Sequence, residues 1–262
     1  MSEPAIDFTK RDERWQVRVR DLHKRFRIDQ PEALRGVNVD FERGKVNVVL
    51  GGSGQGKSVL LKHIIGLLRP SSGHIWVDGV DIHSLSDAHL ADFRTKFGMV
   101  FQNAALFDSM TVYENVSFPL REHRKLKEPE MRRIVREKLA IVDLSSTIED
   151  DYPAQLSGGM RKRVGLARAI VLDPKIVLYD EPTTGLDPIT TAYVDQMIID
   201  AKRKLDVTSV VISHDIASAF KVADNVAFLS DGVIVEKGPP QKLRNTQNPK
   251  LKLFLETWFG KI

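Results

Sequence analysis

Residues 51–58, "GGSGQGKS", fit the spacing G-x-x-x-x-G-K-[ST], and Val59 carries them into an apolar run. Glycines at these steps, Gly51, Gly52, Gly54 and Gly56 with Ser53 and Gln55 between them, let successive backbone N–H groups converge on phosphate oxygens with no Cβ in the way. A helix opening at this point adds the positive end of its dipole. Lys57 then reaches the β- and γ-phosphates of a nucleoside triphosphate, and the Ser58 hydroxyl takes a place on Mg²⁺. A phosphate site of this kind needs an acidic partner at the end of a buried strand, and "IVLYDEP", residues 176–182, supplies one. Asp180 is placed to hold Mg²⁺ through water. Glu181, the next residue, is placed to orient an attacking water and accept its proton. The two segments together imply a nucleoside triphosphatase and leave open what its hydrolysis drives.

A second stretch has the chemistry of an anion cradle. In "LSGGM", residues 156–160, Ser157, Gly158 and Gly159 open a helical pattern rich in Arg and Lys. Free N–H groups, a hydroxyl and the helix dipole make such a start favourable for phosphate. Alone it is a weak signal, because many helices begin with Ser-Gly. It lies 23 residues before Asp180 (180 − 157), and it carries Met160 where a polar residue is expected.

The elements that must position these residues can be read from periodicity. "WQVRVRDL" alternates Trp15, Val17 and Val19 with Gln16, Arg18 and Arg20, the pattern of a half-buried strand. "GVNVDFERG" repeats it and turns at Gly44. Val46–Leu50 is a short apolar strand, followed by the glycines and a helix expected from about Ser58 to Leu68. "GHIWVDGVDI" reads as a strand pair and "GMVFQ" as a further strand ending in Gln102. From about Ser109 to Ile170 the pattern is mostly helical, with Pro119 and Pro129 as breaks. "KIVLYDEP" and "TSVVISHD" are continuous apolar runs, as expected of strands covered on both faces. "NVAFLSDGVIVEKG" reads as a hairpin across Asp231-Gly232. Residues 239–262 form a tail in which Leu251, Phe254, Leu255, Trp258 and Phe259 recur at helical spacing. That face can pack on its own domain or clasp a second subunit.

The whole chain narrows the function classes. It has 262 residues and no cysteine, so disulfides and Cys-based zinc sites are excluded. Its seven His show no H-E-x-x-H spacing. No apolar run approaches the roughly 18 residues that span a bilayer. The first residues, "MSEPAIDFTKRDER", lack the apolar stretch of a secretory signal, so the sequon at Asn115 carries no information. Net charge is +4, with an early excess in Lys10, Arg11, Arg14, Arg18, Arg20, Lys24, Arg25 and Arg27. Such a run can meet nucleic acid or anionic headgroups; a solvated strand edge is the plainer reading.

The motifs, in this order, resemble the nucleotide-binding subunit of an ABC transporter over about residues 15–238. "GGSGQGKS" is similar to that family's Walker A, "IVLYDE" to its Walker B, and "LSGGM" to its signature LSGGQ except at the last position. The resemblance implies an α/β, P-loop NTPase (RecA-like) core with a mixed sheet, an antiparallel β subdomain and an inserted helical subdomain over about 90–165. It implies ATP and Mg²⁺ as cofactors and residue roles position by position. Glu181 would be the catalytic carboxylate. Gln102, in "GMVFQN", would sense Mg²⁺ and the membrane partner. His214, in "VISHD", would contact the γ-phosphate. Asp187, in "GLDP", would cross a dimer interface, and Phe26, in "LHKRF", would lie against adenine. Core packing for Phe26 and a surface strand end for Gln102 are the blander alternatives. In the family two chains pack head to tail, so each ATP lies between one chain's Walker A and the other's signature. One chain then needs two phosphate-facing elements because it serves two ATP molecules.

"LSGGM" with its basic helix, "ALFDSMTVYENVSFPLREH" and "GLDPIT" narrow the resemblance to the Mla/Mce-type ATPases, which energise bacterial lipid transport. Expected partners are then a second copy of the chain, an integral membrane permease received in the groove beside Gln102, an Mce-domain substrate-binding protein and a small regulatory subunit, with no nucleic acid. The place would be the cytoplasmic face of the inner membrane. Leu106, Phe107, Met110 and Tyr113 are expected as apolar anchors for the permease; internal packing is the alternative for each. Another ABC importer motor, for amino acids or ions, would carry the same nucleotide site. A soluble repair or translation ATPase is disfavoured, since only 123 residues separate Lys57 from Asp180 (180 − 57) and each motif occurs once. A plain P-loop kinase lacks the signature and His214.

Overall fold

The computed structural model describes residues 12–259. In chain order its strands are β1 (Trp15–Lys24), β2 (Leu34–Glu42), β3 (Val46–Leu50), β4 (Ser72–Val77), β5 (Val80–Asp81), β6 (Phe97–Val100), β7 (Ile176–Asp180), β8 (Thr208–Ser213), β9 (Asn225–Ser230) and β10 (Val233–Gly238). The helices are α1 (Lys57–Ile64), α2 (Asp87–Arg94), α3 (Val112–His123), α4 (Glu128–Ile141), α5 (Gly158–Ala169), α6 (Pro188–Leu205), α7 (Ile216–Val222), α8 (Pro240–Arg244) and α9 (Pro249–Phe259).

The continuous apolar runs become the core sheet, ordered β10-β9-β3-β8-β7-β6. Its strands pair in parallel from β9 to β6, and only the β9–β10 hairpin is antiparallel. Side chains alternate between faces along each strand, so both faces are buried. Val48, Val177 and Val211 enter one apolar cluster with the helices. Val49, Leu178 and Val210 enter the other, beneath the second sheet. That second sheet is antiparallel, ordered β2-β1-β4-β5. Its Val17, Val19, Val39 and Ile75 face the same cluster. The α/β core with a mixed sheet and an antiparallel subdomain is therefore as the motifs implied. Residues 97–100 belong to the core sheet as β6; α3 and α4 follow it in the chain and pack on α5, which itself lies against β6.

Several local expectations need correction. The helix after the glycines ends at Ile64 and not near Leu68. Gly66, at φ +72°, donates to the His63 carbonyl at 3.0 Å, and Leu67 donates to Lys62 at 2.8 Å, a left-handed helix stop that satisfies the last carbonyls. Pro119 is inside α3 and does not break it. Val112, Tyr113, Val116 and Leu120 of that helix are all buried, and their burial outweighs the one lost hydrogen bond. Pro129 lies in the first turn of α4, where proline has no bond to lose.

The polar face of β1 is not a solvated edge. Gln16 and Arg18 are buried. Gln16 donates to Asp78 at 2.8 Å and accepts from Arg43 at 2.6 Å. The basic run is largely consumed by acidic neighbours: Arg14 by Glu42 at 3.6 Å, Arg20 by Asp40 at 2.6 Å and Arg25 by Glu32 at 3.4 Å. Lys10 and Arg11 lie outside the described residues.

The tail turns back onto its own domain. Leu251 and Leu255 of α9 are buried in the helix-side cluster, and the Phe254 ring lies 5.1 Å from that of Phe228. The side chains of Trp258 and Phe259 lie outside the described residues.

Candidate active site

Strand register brings the acting residues together. β8 lies between β3 and β7, and Leu50 is level with Ser213 as Asp180 is with Ile212. The loop of residues 51–56, the Asp180-Glu181 pair and His214 therefore emerge side by side at the carboxyl ends of their strands, where open α/β sheets hold ligands.

The loop's glycines are required by space as well as by conformation. Gly54 and Gly56 have φ of +75° and +100°. A Cβ on Gly56 would lie 2.6 Å from the Ala33 carbonyl oxygen, and one on Gly51 would lie 2.3 Å from that of Leu229. Gly56 caps α1 with no side-chain hydrogen bond, so the first-turn N–H groups face the loop without a side-chain partner. Gln55 turns outward and accepts from the backbone N–H of Asp231.

Lys57 is buried and donates to the carbonyls of Gly51 and Gly52, both at 2.9 Å, and pairs with Glu181 Oε1 at 3.1 Å. The Ser58 hydroxyl donates to Asp180 Oδ1 at 3.3 Å. Glu181 adopts φ +50°, a left-handed backbone that costs a non-glycine residue about 1–2 kcal/mol. Its Oε2 accepts from the His214 ring at 2.7 Å, the His214 backbone N–H at 3.2 Å and the Thr184 hydroxyl at 3.1 Å. An ionised carboxylate only accepts, so the proton on that bond belongs to His214 Nδ1.

The two adjacent carboxyls are pushed in opposite directions. Burial raises Asp180 above its ordinary value, and the Ser58 hydrogen bond draws it only part of the way back. Burial also raises Glu181, but the Lys57 charge and the hydrogen bonds from Lys57 and His214 outweigh it, and Glu181 ends below its ordinary value. One residue stays ionised against its buried surroundings, as a proton acceptor must.

The remaining predicted residues lie elsewhere. Ser157 caps α5, its hydroxyl accepting from the Met160 N–H at 3.2 Å. Met160 is half-buried against the helix-side cluster, so its thioether packs where a polar group was expected. Ser157, Gly158, Gly159, Asp187, Thr190 and Tyr193 are among the residues lining a cleft of about 950 Å³, and none of residues 51–59 lines it. Asp187 caps α6, accepting from the N–H groups of Ile189 at 2.9 Å and Thr190 at 3.0 Å. Hydrogen bonds from Thr190 hold its carboxyl below the ordinary value. Within one chain, then, the signature and the glycine loop face different spaces.

Gln102 is exposed on the loop after β6, and its carbonyl accepts from Lys162 at 2.8 Å. Phe26 is 54% exposed, with the Lys24 ammonium 5.4 Å from its ring, so core packing is not its role. Its loop closes through a 2.8 Å bond from Ala33 N–H to the Lys24 carbonyl, and Ala33 is the residue against Gly56. Of the four apolar residues beside Gln102, Phe107 is 43% exposed, and Leu106 and Met110 are half-buried. Tyr113 is buried under the guanidinium groups of Arg132 at 4.3 Å and Arg121 at 5.6 Å, so it is internal packing and no surface anchor.

Three residues were missed. Thr184 follows Glu181 at the spacing of a local hydroxyl bond and was within reach of sequence reasoning. Lys162 and Arg168 sit in the basic helix that opens at Ser157, and neither was singled out there. Arg168 instead donates to the carbonyls of Ala104 at 2.7 Å and Ala105 at 2.8 Å. Those two residues adopt left-handed backbones, at φ +60° and +47°.

Among the described residues there is no cluster of three or more His, Cys, Asp or Glu that could hold a metal alone. The Ser58 hydroxyl and Asp180 carboxylate, 3.3 Å apart, do suit Mg²⁺, a hard ion that takes few protein oxygens and leaves the rest to phosphate and water. No helix among the described residues is long and apolar enough to cross a membrane.

Comparison with known proteins agrees with this geometry. Residues 34–184 match the family model described as ABC transporter. The chain is 47% identical over 239 residues to the probable ribonucleotide transport ATP-binding protein mkl of Mycobacterium leprae, covering 91% of this chain and 68% of that protein. Against mkl of Mycobacterium tuberculosis it is 50% identical over 219 residues, covering 84% of this chain and 61% of the relative's length. It is 41% identical over 231 residues to the methionine import ATP-binding protein MetN of Carboxydothermus hydrogenoformans, covering 88% and 68%. It is 39% identical over 220 residues to the intermembrane phospholipid transport system ATP-binding protein MlaF of Escherichia coli, covering 84% and 81%. Among solved structures, cbiO1 of Clostridium perfringens, part of the ABC transporter complex cbiONQ, superposes with a TM-score of 0.81 at 31% identity, covering 94% of this chain and 96% of that one. A dimeric ATP-binding cassette in a post-hydrolysis state with ADP and Pi gives 0.76 at 31% identity, covering 86% and 99%. The chain belongs to the ABC transporter family and is one of its ATP-binding cassettes.

Proposed function

We propose that this chain is the ATP-hydrolysing subunit of a phospholipid transporter in the bacterial envelope. The observation that carries the chemistry is the bonded set Lys57–Glu181–His214 at the end of the core sheet. The likeness to MlaF supports the cargo. The N–H groups of residues 51–58 and Lys57 hold the triphosphate. Glu181, kept ionised by Lys57 and His214, accepts the proton of the attacking water. His214, 46% exposed at its side chain, reaches from that carboxylate toward the γ-phosphate. Ser58 and Asp180 would hold Mg²⁺, with Gln102 approaching it from the neighbouring loop; the ion would supply charge neutralisation on the phosphates.

The separation of Ser157 and Asp187 from the glycine loop supports a head-to-tail pair of chains, each signature serving its partner's ATP, as does the likeness to a dimeric cassette. Phe26 would then lie on adenine. The cassette would span residues 15–238 with a tail over 239–262, on the cytoplasmic face of the inner membrane. The exposed Phe107 would mark the groove for a permease, with an Mce-domain protein and a small regulatory subunit completing the assembly. A second reading, amino-acid import, is favoured by the likeness to MetN. Purification of the tagged chain from native membranes, with mass spectrometry of bound proteins and lipids, separates them. A permease, an Mce-domain protein and phospholipid are expected; recovery of a permease with an amino-acid-binding protein would overturn the lipid reading.

A further inference from the structure

One ammonium group of the signature helix bonds both the loop bearing Gln102 and the loop bearing Glu181, while Arg168 of the same helix holds the first loop further along, at Ala104 and Ala105. Lys162, in the first half of α5, donates to the Gln102 carbonyl at 2.8 Å and to the Pro182 carbonyl at 2.7 Å. Pro182 directly follows Glu181, so the second bond holds the peptide one residue beyond the left-handed turn, where Glu181 has φ +50°. Gly165, one turn further along α5, lets the first loop approach, since a Cβ there would lie 3.1 Å from that of Ala104.

The choice of residue is informative. Burial lowers the Lys162 pKa, and nothing opposes it. Among the described residues no carboxylate pairs with this ammonium, whose two bonds both go to main-chain carbonyls. Lys162 is half-buried, and partly desolvating a charge without a counter-ion costs free energy. Packing alone would be served as well by an uncharged side chain. What the ammonium provides is two charge-assisted bonds from one atom, which fix the distance between the two loops.

We propose that Lys162 is a positioning residue for hydrolysis. It holds the Glu181 turn and the Gln102 loop in register with each other and with α5. Its ammonium bonds main-chain carbonyls and neither Glu181 nor Ser58. Because α5 carries Ser157 at its N-terminus, the same group ties the loops of a chain's own ATP site to the element presented to its partner. The inference rests on the reading of Glu181 as the base and of the chain as an ATPase.

Three forms of the full-length chain test it: wild type, Lys162→Met, which keeps the length and removes the donors, and Lys162→Arg, whose fork can reach both carbonyls. ATP affinity is measured by equilibrium binding, turnover by phosphate release, and folding by melting temperature. A mispositioned catalytic group costs about 10²-fold. Lys162→Met is expected to lose roughly that factor in kcat, with ATP affinity within about threefold of wild type, and Lys162→Arg to recover most of the loss. Should Lys162→Met fail to fold, Lys162→Gln is measured in its place, with the same split expected. Turnover of Lys162→Met within twofold of wild type overturns the proposal. So does a loss that follows affinity or melting temperature and is not restored by Arg. A wild-type chain that binds but never hydrolyses ATP would overturn the ATPase reading itself, a different outcome.

Discussion

Replacing Glu181 by Gln keeps the size of the side chain and removes its capacity to take a proton. The structure shows what else changes. Oε1 faces the Lys57 ammonium at 3.1 Å, and Oε2 faces the His214 ring, the His214 N–H and the Thr184 hydroxyl at 2.7, 3.2 and 3.1 Å. An amide NH₂ at either position points a donor at donors. With the NH₂ toward Lys57 the amide keeps the three bonds on the other side and loses one charged contact, about 1.5–3 kcal/mol of local interaction. That loss falls on a pair that already has the Gly51 and Gly52 carbonyls as alternatives for Lys57, both at 2.9 Å, so the lysine stays in place. The binding loop is therefore intact, and the ATP affinity of Glu181→Gln should lie within a few-fold of wild type. The chemical step loses its base, which is worth about 10²–10⁴ in rate, or roughly 3–5 kcal/mol of barrier. Phosphate release under saturating ATP, read beside equilibrium binding of the same preparation, measures both. Retention of more than about a tenth of wild-type turnover, well outside that range, would refute the assignment of Glu181 as the base.

Two further outcomes follow from parts remote from the chemistry. His83 is pushed down from 6.5 to about 4, first by burial and then by the neighbouring His63, so the unfolded chain binds a proton that the folded chain refuses between those values. Folding stability should fall as pH drops from 6.5 toward 4, with a slope approaching one proton, and His83→Gln should remove that part of the slope in denaturant titrations at several pH values; an unchanged slope would contradict it. Leu255 is 1% exposed, and truncating a buried Leu costs about 2–5 kcal/mol. Leu255→Ala should lower the melting temperature while leaving self-association and turnover per folded chain unchanged; altered assembly in sedimentation would show that the tail clasps a second chain.

The sequence was most legible where spacing and chemistry coincide. That residues 51–58 and the Asp180–Glu181 pair lie at neighbouring strand ends was legible from their motifs, because a phosphate site asks for glycine, a cation and carboxylates in a fixed order, and His214 joined them through the family resemblance. The β9–β10 hairpin was legible for the same reason, as Asp231 and Gly232 both take the positive φ its turn requires, +50° and +74°. Pro119 misled, because local propensity gave way to burial of the rest of α3. Gln16 and Arg18 misled, because alternation reports polarity and says nothing of a polar partner such as Asp78 arriving from the β4–β5 turn or Asp40 from β2. Lys162 and Arg168 were invisible, because their partners are backbone carbonyls, which have no sequence signature.

On the head-to-tail reading each ATP needs Lys57 from one chain and Ser157 from another, and mixed dimers put this to the test. Homodimers of Lys57→Ala, or of Ser157→Arg, carry a lesion at both sites. A heterodimer of the two places both lesions at one site and leaves the other with an intact Lys57 facing an intact Ser157. Heterodimers selected with two different tags are assayed for phosphate release beside each parent. Recovery of a substantial fraction of wild-type activity is expected. Activity no higher than the parents', with the heterodimer confirmed by mass, would mean either that the two sites must fire together or that Ser157 serves the ATP of its own chain; trapped nucleotide in the same mixture with Glu181→Gln in place of Lys57→Ala separates the two, and only the second contradicts the shared site.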